Sequence, residues 1–384
     1  MLLRVLTLSA LCHGQSTPAV SGDSTRGRPQ KTTPSPRLDA RRLQAQIEDY
    51  LREPVAKRQF SGVILIAQDG KPLMRKAYGY ADWIRHVPNR PDTRFMLYSV
   101  TKQFTATAIL ILQDRGLLNV HDSIRKYMPE CPPEWEPVTV HHLLTHTSGI
   151  DVDNLYFWIA ERYPAFREDP KVSMPPFKPG PLVTPPGSAF RYSNAGYMLL
   201  SILIGRVSGM EYETFLQRNI FKPLHMNATG CDHDHPTPGR ARGHELTPTT
   251  AQISEQPTHY IVGAGDIYTT ADDMLKWDQS FYGSRLLSEQ AREAMFTGYI
   301  PTRRGGYGYG WQISTNAEGR VLQMHTGGGS GFVSWVMRRP KEHIYLIMLC
   351  NMSSESAFPY ADGSLARVDA LLNSSSLPPQ RSVP

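Results

Sequence analysis

Between Ser99 and Arg115 the chain carries a run whose apolar residues fall on nearly every face of a helix. They are Val100, Phe104, Ala106, Ala108, Ile109, Leu110, Ile111 and Leu112, and Gly116 closes the run. A helix with so little polar surface cannot lie on the outside of a fold. It belongs at the centre, and the rest of the chain must cover it. Gly62–Ala67 is a continuous apolar run and reads as a strand. Asp69-Gly70 is a hairpin signal, and Leu73–Tyr80 reads as the returning strand. Further strands are expected at 309–314, 320–326, 332–338 and 345–351. Helices are expected at 43–51, at 270–282 with Thr270 as N-cap, and at 365–372. The middle of the chain shows helical spacing at 139–145, 195–208 and 211–219, broken by a proline-rich stretch at 170–186. Early strands, a helical middle and late strands predict an α/β (α+β) fold. One sheet would be built from residues 43–116 and 261–373, with residues 117–260 as a mainly helical insert.

The ends read differently from the middle. Residues 1–14 hold one Arg and a short apolar run, Val5 to Cys12, with small residues at Cys12 and Gly14. They read as a signal peptide, so the chain is expected to be exported, periplasmic or secreted; a transit peptide to an organelle is the alternative. Residues 15–42 are rich in Ser, Thr, Pro and Arg and read as a basic flexible tether; residues 374–384 read as a flexible tail. Charge sharpens this division. The 384 residues carry 41 Lys+Arg against 35 Asp+Glu, a net +6. Arg4 supplies +1, residues 15–42 supply +4 and Arg381 supplies +1, so residues 43–373 are neutral overall. A nucleic-acid partner is therefore not expected of the folded part, while the tether is able to touch a membrane or cell wall. Four cysteines exclude a disulfide scaffold. No run approaches 18 apolar residues, so no membrane-spanning helix is expected.

The chemistry is carried by three short elements. The first is Ser99-Val100-Thr101-Lys102, where helical i, i+3 spacing stacks an amine over a hydroxyl. A desolvated Lys102 can lose its proton and act as base toward Ser99, whose own N–H at a helix start is free for an oxyanion. Ser123-Ile124-Arg125-Lys126 repeats the pattern but lies in a polar surface stretch and reads as a decoy. The second element is Tyr192-Ser193-Asn194, just before an apolar helix. Tyr can relay a proton and Asn can hold a carbonyl; a packed Tyr beside a capping Asn is the plainer alternative. The third is His325-Thr326-Gly327-Gly328 at a strand end, where glycines let a substrate backbone approach and Gly328 N–H can serve as a second oxyanion donor; a Gly-rich hairpin is the plainer alternative. The Gly-x-Ser-x-Gly elbow and the His-Glu-x-x-His zinc motif are both absent.

Taken in this order, the elements resemble the serine β-lactamase and penicillin-binding protein family, in particular its class C β-lactamase, D-Ala-D-Ala carboxypeptidase and esterase branch. Phe95–Thr105, His142-Leu143-Leu144-Thr145-His146-Thr147-Ser148-Gly149, Pro186–Tyr197, Phe221–Met226, Thr269–Met274 and Tyr307-Gly308-Tyr309-Gly310-Trp311 are similar to that family's blocks. The resemblance spans residues 43–373. It implies a β-lactamase/transpeptidase-like fold, an antiparallel sheet flanked by helices plus an all-helical insert domain. It implies Ser99 as acylated nucleophile and Lys102 as its base, sharing protons with Tyr192. Asn194, His325, Thr326 and Gly327 would bind substrate, with His325 and Thr326 facing a carboxylate. The N–H groups of Ser99 and Gly328 would form the oxyanion hole. His325 stands where most β-lactamases have Lys, which favours a peptidase or esterase over a true β-lactamase.

The expected activity is thus a serine hydrolase acting through an acyl-enzyme on a small-molecule or peptide substrate, with no cofactor. A catalytically silent binding or scaffold protein on the same fold is the rival of another class. Cys231, His233 and His235, with His225 and His244 nearby, sit on a Pro/Gly-rich loop without the element that makes ligands converge, so no metal is expected. Cys131, Cys231 and Cys350 are odd in number, so one at least is unpaired. His142 and His146 are expected to be structural.

Overall fold

The computed structural model describes residues 37–151, 182–232, 237–247, 249–254, 261–353 and 364–376. Asp39 caps helix α1 (Ala40–Ala56), accepting from the N–H groups of Arg41 and Arg42. Strands β1 (Gly62–Gln68) and β2 (Lys71–Tyr78) follow, joined by Asp69 and Gly70 at φ 52° and 71°. Two left-handed residues are what a tight hairpin demands, and Asp-Gly supplies them. Short strands β3 (Tyr80–Asp82), β4 (Val87–Pro88) and β5 (Phe95–Met96) lead to a 3₁₀ turn at Tyr98–Thr101. That turn runs into α2 (Lys102–Asp114), whose residues 102–112 are all buried. Gly116, at φ 70°, ends the helix.

The middle holds α3 (Val140–Leu144), α4 (Asn194–Ser208) and α5 (Tyr212–Leu216). Among the described residues its later part holds strands. Strands β6 (Gly230–Cys231), β7 (His244–Leu246) and β8 (Ala251–Ile253) lie within 117–260, and β6 joins β9 (Ile267–Thr269) and β5 in a small sheet. Pairings between residues 95, 230 and 268 leave no local pattern to read.

Helices α6 (Ala271–Gln279), capped by Thr270, and α7 (Glu289–Met295) precede the last strands. These are β10 (Ile300–Thr302), β11 (Gly305–Tyr307), β12 (Gln312–Thr315), β13 (Val321–Gly329), β14 (Phe332–Arg339) and β15 (Ile344–Cys350), and α8 (Ser364–Ser374) comes last. Among the described residues eight strands form one antiparallel sheet in the order β10-β11-β12-β13-β14-β15-β1-β2. The strand expected from Tyr309 begins only at Gln312. Gly310, at φ 75°, instead turns the chain against the first turn of α2, where a Cβ would lie 2.8 Å from Lys102 O.

The sheet is covered on both sides. Val63 and Leu65 of β1 and Ile347 and Leu349 of β15 share a cluster with α2 and α4. Ile64, Ile66, Leu346 and Met348 alternate into a second cluster with Leu43, Ile47 and Leu51 of α1 and Leu372 of α8. Central strands buried on both faces explain the unbroken apolar runs in the sequence.

Two expected boundaries move. Leu38 is buried, its N–H donates to Gln68 Oε1, and it forms a bridge with Ser376. Residues 37–42 and 374–376 therefore belong to the fold and not to tether and tail. The expected signal peptide, residues 1–14, and residues 15–36 lie outside the described residues, as do 377–384.

Candidate active site

Ser99 sits in the 3₁₀ turn at the start of α2. Tyr98 before it is held at φ 46°, a left-handed conformation costly for a bulky residue. The surroundings fix it there. Leu97 N–H donates to Ile267 O at 2.8 Å, Ser334 Oγ donates to Leu97 O at 2.6 Å, and Tyr98 OH donates to Ser330 O at 3.2 Å. No described backbone hydrogen bond consumes the Ser99 N–H.

One turn along, Lys102 is fully buried. Its Nζ lies 3.2 Å from Ser99 Oγ, 2.8 Å from Asn194 Oδ1 and 2.9 Å from Ala264 O. Burial drives its pKa well below the usual lysine value, against an opposing pull from Asp266. A neutral amine has two protons and one lone pair. It can donate to Asn194 and Ala264 while accepting from the Ser99 hydroxyl, and the three partners match that inventory. The Tyr192 ring lies with its centroid 4.8 Å from Nζ, so lysine meets the ring face. Asn194 opens α4, but the cap is Ser193, whose Oγ accepts from Gly196 N–H.

The β13 edge completes the arrangement. Gly327 needs to be glycine, because a Cβ there would stand 2.0 Å from Leu97 O and 2.9 Å from Ser99 N. Gly329 likewise lies against the Tyr98 ring. Gly329 and Phe332 close a two-residue turn and so form a hydrogen-bonded pair. Alternation then turns the Gly328 N–H away from β14. On that side β12 has already ended, since its pairing with β13 stops at Met324. Gly328 therefore offers its N–H on an open edge beside Ser99. Thr326 is half-buried on the same edge.

His325 departs from expectation. It is 4% exposed, with Nδ1 2.7 Å from Thr326 O and Nε2 2.9 Å from Tyr307 OH. Tyr307 OH also lies 3.2 Å from His146 Nε2, and His146 Nδ1 accepts from Ser193 N–H. The partners determine the tautomers: His146 donates from Nε2 to Tyr307, Tyr307 donates to His325 Nε2, and His325 donates from Nδ1 to Thr326 O. Burial, with Lys102 nearby, pushes the His325 pKa down to about 3. A neutral imidazole with both nitrogens engaged does not present a charge to a carboxylate.

His146, read from sequence as structural, stands at the base of the site with its ring 4.3 Å from that of Tyr192. Tyr307, Ser334 and Asp266 received no role from sequence. Tyr307 belongs to a block that fits the resemblance and was visible there; Asp266 and Ser334 left no signal. The decoy pair separates: Ser123 Oγ accepts from Arg125 N–H, and Lys126 pairs with Asp122 at 2.7 Å. Of the metal candidates, His233 and His235 lie outside the described residues. Cys231 is buried against Asp266, and His244 Nε2 accepts from Trp83 N–H. Among the described residues no group of three or more ligating side chains converges.

A serine on a strained turn, a buried lysine one helical turn on, a Tyr-x-Asn at a helix start and a glycine strand edge define a class of chains built around a serine–lysine pair. The family model described as Beta-lactamase matches residues 47–370, and the chain belongs to that family. Penicillin-binding protein 4* of Bacillus subtilis (strain 168) is 29% identical over 79% of this chain and 71% of its own length. Protein flp of Staphylococcus aureus (strain COL) is 28% identical over 81% of this chain and 64% of its own, so the chain spans under two thirds of that relative. The octameric penicillin-binding protein homologue from Pyrococcus abyssi superposes with TM-score 0.72 at 29% identity, covering 90% of this chain and 80% of that one. The D-amino acid amidase of Ochrobactrum anthropi SV3 shares the fold, with TM-score 0.68 at 23% identity over 86% of this chain and 97% of that one.

Proposed function

We propose that the chain is a serine hydrolase that works through an acyl-enzyme on Ser99 and takes a peptide, amide or ester substrate in the manner of a D-Ala-D-Ala carboxypeptidase or an esterase. The observation that carries this reading is the fully buried Lys102 amine, 3.2 Å from Ser99 Oγ and already supplied with two acceptors. Ser99 Oγ attacks the substrate carbonyl carbon as Lys102 takes its proton. The carbonyl oxygen, now negative, is received by the N–H groups of Ser99 and Gly328. Lys102 returns the proton to the leaving nitrogen or oxygen, and the C–N or C–O bond breaks. Water then attacks the ester carbonyl, gives a proton to Lys102 and releases the acid, while Ser99 regains its proton. The neutral His325 supports substrates that need no fixed cation at the β13 edge, and so a peptidase or esterase ahead of a β-lactamase.

The test is covalent labelling of the full chain with a fluorescent penicillin and with a fluorophosphonate, located by peptide mass. Label on Ser99, lowered at least about a hundredfold in rate by Lys102→Ala, is expected. A folded protein that takes neither reagent refutes the proposal, and normal labelling of the Lys102 variant refutes the base. Nitrocefin, a D-Ala-D-Ala peptide and a p-nitrophenyl ester assayed side by side then separate the substrate classes. Export belongs to the same proposal: the mass of the protein recovered from producing cells is expected to lack residues 1–14, and retention of the leader refutes it.

A further inference from the structure

Behind Lys102 lies a buried carboxylate that the acyl-transfer steps do not use. Asp266 is 1% exposed, and its Oδ1 accepts from Gly263 N–H at 2.8 Å, closing the turn from Gly263 to Asp266. That turn presents two carbonyls to neighbouring positions of α2. Gly263 O accepts from Thr105 Oγ1 at 2.6 Å, and Ala264 O accepts from Lys102 Nζ at 2.9 Å. The shape is demanding. Gly263 has φ 76°, and a Cβ on it would lie 2.7 Å from Ser201 Cβ; one on Gly265 would lie 2.5 Å from Ile261 Cδ1. The turn is pressed between α4 and the nucleophile segment, and the carboxylate is what pins its corner.

We infer that Asp266 is a positioning residue for Lys102: it closes the turn that aims the Ala264 carbonyl at the amine. A charge on the carboxylate also strengthens the amine's hold on a proton. This rests on the reading of Ser99 and Lys102 given above. The groups that face the pair are few. Asp266 meets the Cys231 thiol of β6, which donates to it, with Glu213 of α5 nearby. Lys102 faces His146, His325, Tyr192 and Tyr197, and burial keeps both imidazoles neutral. Burial lifts the Asp266 carboxyl to about 7, so it changes charge in the neutral range. An ionised Asp266 raises the pKa of Lys102 and withholds the neutral base; a protonated one releases it. The charge on Asp266 thereby moves the pH at which Lys102 becomes a neutral base.

The experiment compares full-length wild type, Asp266→Asn and Asp266→Ala by the rate of Ser99 labelling with a fluorophosphonate, from about pH 5 to about pH 9. The Asn oxygen can still accept from Gly263 N–H but carries no charge. Its acid limb is expected about one unit or more below that of wild type. Asp266→Ala also loses the turn, and its plateau is expected at least about tenfold below that of Asp266→Asn. A merely structural residue would lower the plateau without moving the limb. Superposable limbs for wild type and Asp266→Asn overturn the inference, as does a plateau in Asp266→Asn as low as in Asp266→Ala. Wild type that takes neither the fluorophosphonate nor a fluorescent penicillin while circular dichroism shows it folded overturns the acyl-enzyme reading and this inference with it. Wild type that labels while the limb stays put overturns this inference alone.

Discussion

Gly327→Ala is the most direct probe of the arrangement. The glycine's φ lies outside the left-handed region, so alanine brings no backbone strain and the effect is purely steric. The added Cβ would stand 2.0 Å from Leu97 O, 2.5 Å from Ser334 Oγ and 2.9 Å from Ser99 N. Ordinary contact begins at 3.4 Å, so β13 and the Ser99 turn must part by about 1.4 Å. The Cβ also falls on the Ser334-to-Leu97 hydrogen bond. Oxyanion donors act within a window of about 2.7–3.1 Å, and losing one costs roughly 10²–10³ in rate. A separation of this size takes the Gly328 N–H out of that window relative to Ser99. The variant is expected to label with a fluorophosphonate about a hundredfold more slowly. It should also lose about 1–3 kcal/mol in urea unfolding from overpacking. Gly283→Ala is the control, since its Cβ meets nothing within 4 Å. A Gly327→Ala protein that labels at the wild-type rate and unfolds at the wild-type midpoint would show that β13 does not lie against the nucleophile.

Two further outcomes follow from buried charge. His325 has a folded pKa of about 3 against an ordinary 6.5, so between those values the unfolded chain binds a proton that the folded chain does not. Stability attributable to His325 is therefore full above pH 6.5 and lost as pH falls toward 3, on the order of 3 kcal/mol by pH 4; urea midpoints should fall less steeply in His325→Gln, and parallel curves would exclude this. Arg338 is buried, with Nε 2.7 Å from Asp278 Oδ1 and its guanidinium 4.8 Å from the Tyr282 ring centroid. Arg338→Ala strands a buried carboxylate and should cost about 3–5 kcal/mol in denaturant unfolding; a loss below about 1 kcal/mol would mean that Asp278 is not held as an ion.

Much of the fold was legible in the sequence because its signals are local. The apolar run of α2, the Asp69-Gly70 turn and the strands at 332–339 and 344–350 each state their period or their φ requirement within a few residues. Where the reading failed, the cause was distant. The strand expected at Tyr309 gives way to a turn because Gly310 packs on Lys102 O. The end of the expected helical insert holds β6, whose partner strand lies nearly forty residues later. Leu38 looks like part of a tether until Ser376 is placed beside it.

The site divides the same way. The groups themselves, Ser99, Lys102, Tyr192, Asn194 and the glycines of β13, are written in short motifs, because the chemistry needs those side chains at those spacings. Their protonation states are not. Lys102 is expected to be a base because α2, α4 and the Gly263–Asp266 turn exclude water from it, and desolvation is a property of packing. His325 is neutral because folding buries it beside Lys102. Asp266 has no motif at all and matters only through what lies around it. The chain by itself names the candidate reacting atoms; the tertiary structure decides which of them carry protons, since charge in a protein is set by the dielectric and the partners that folding supplies.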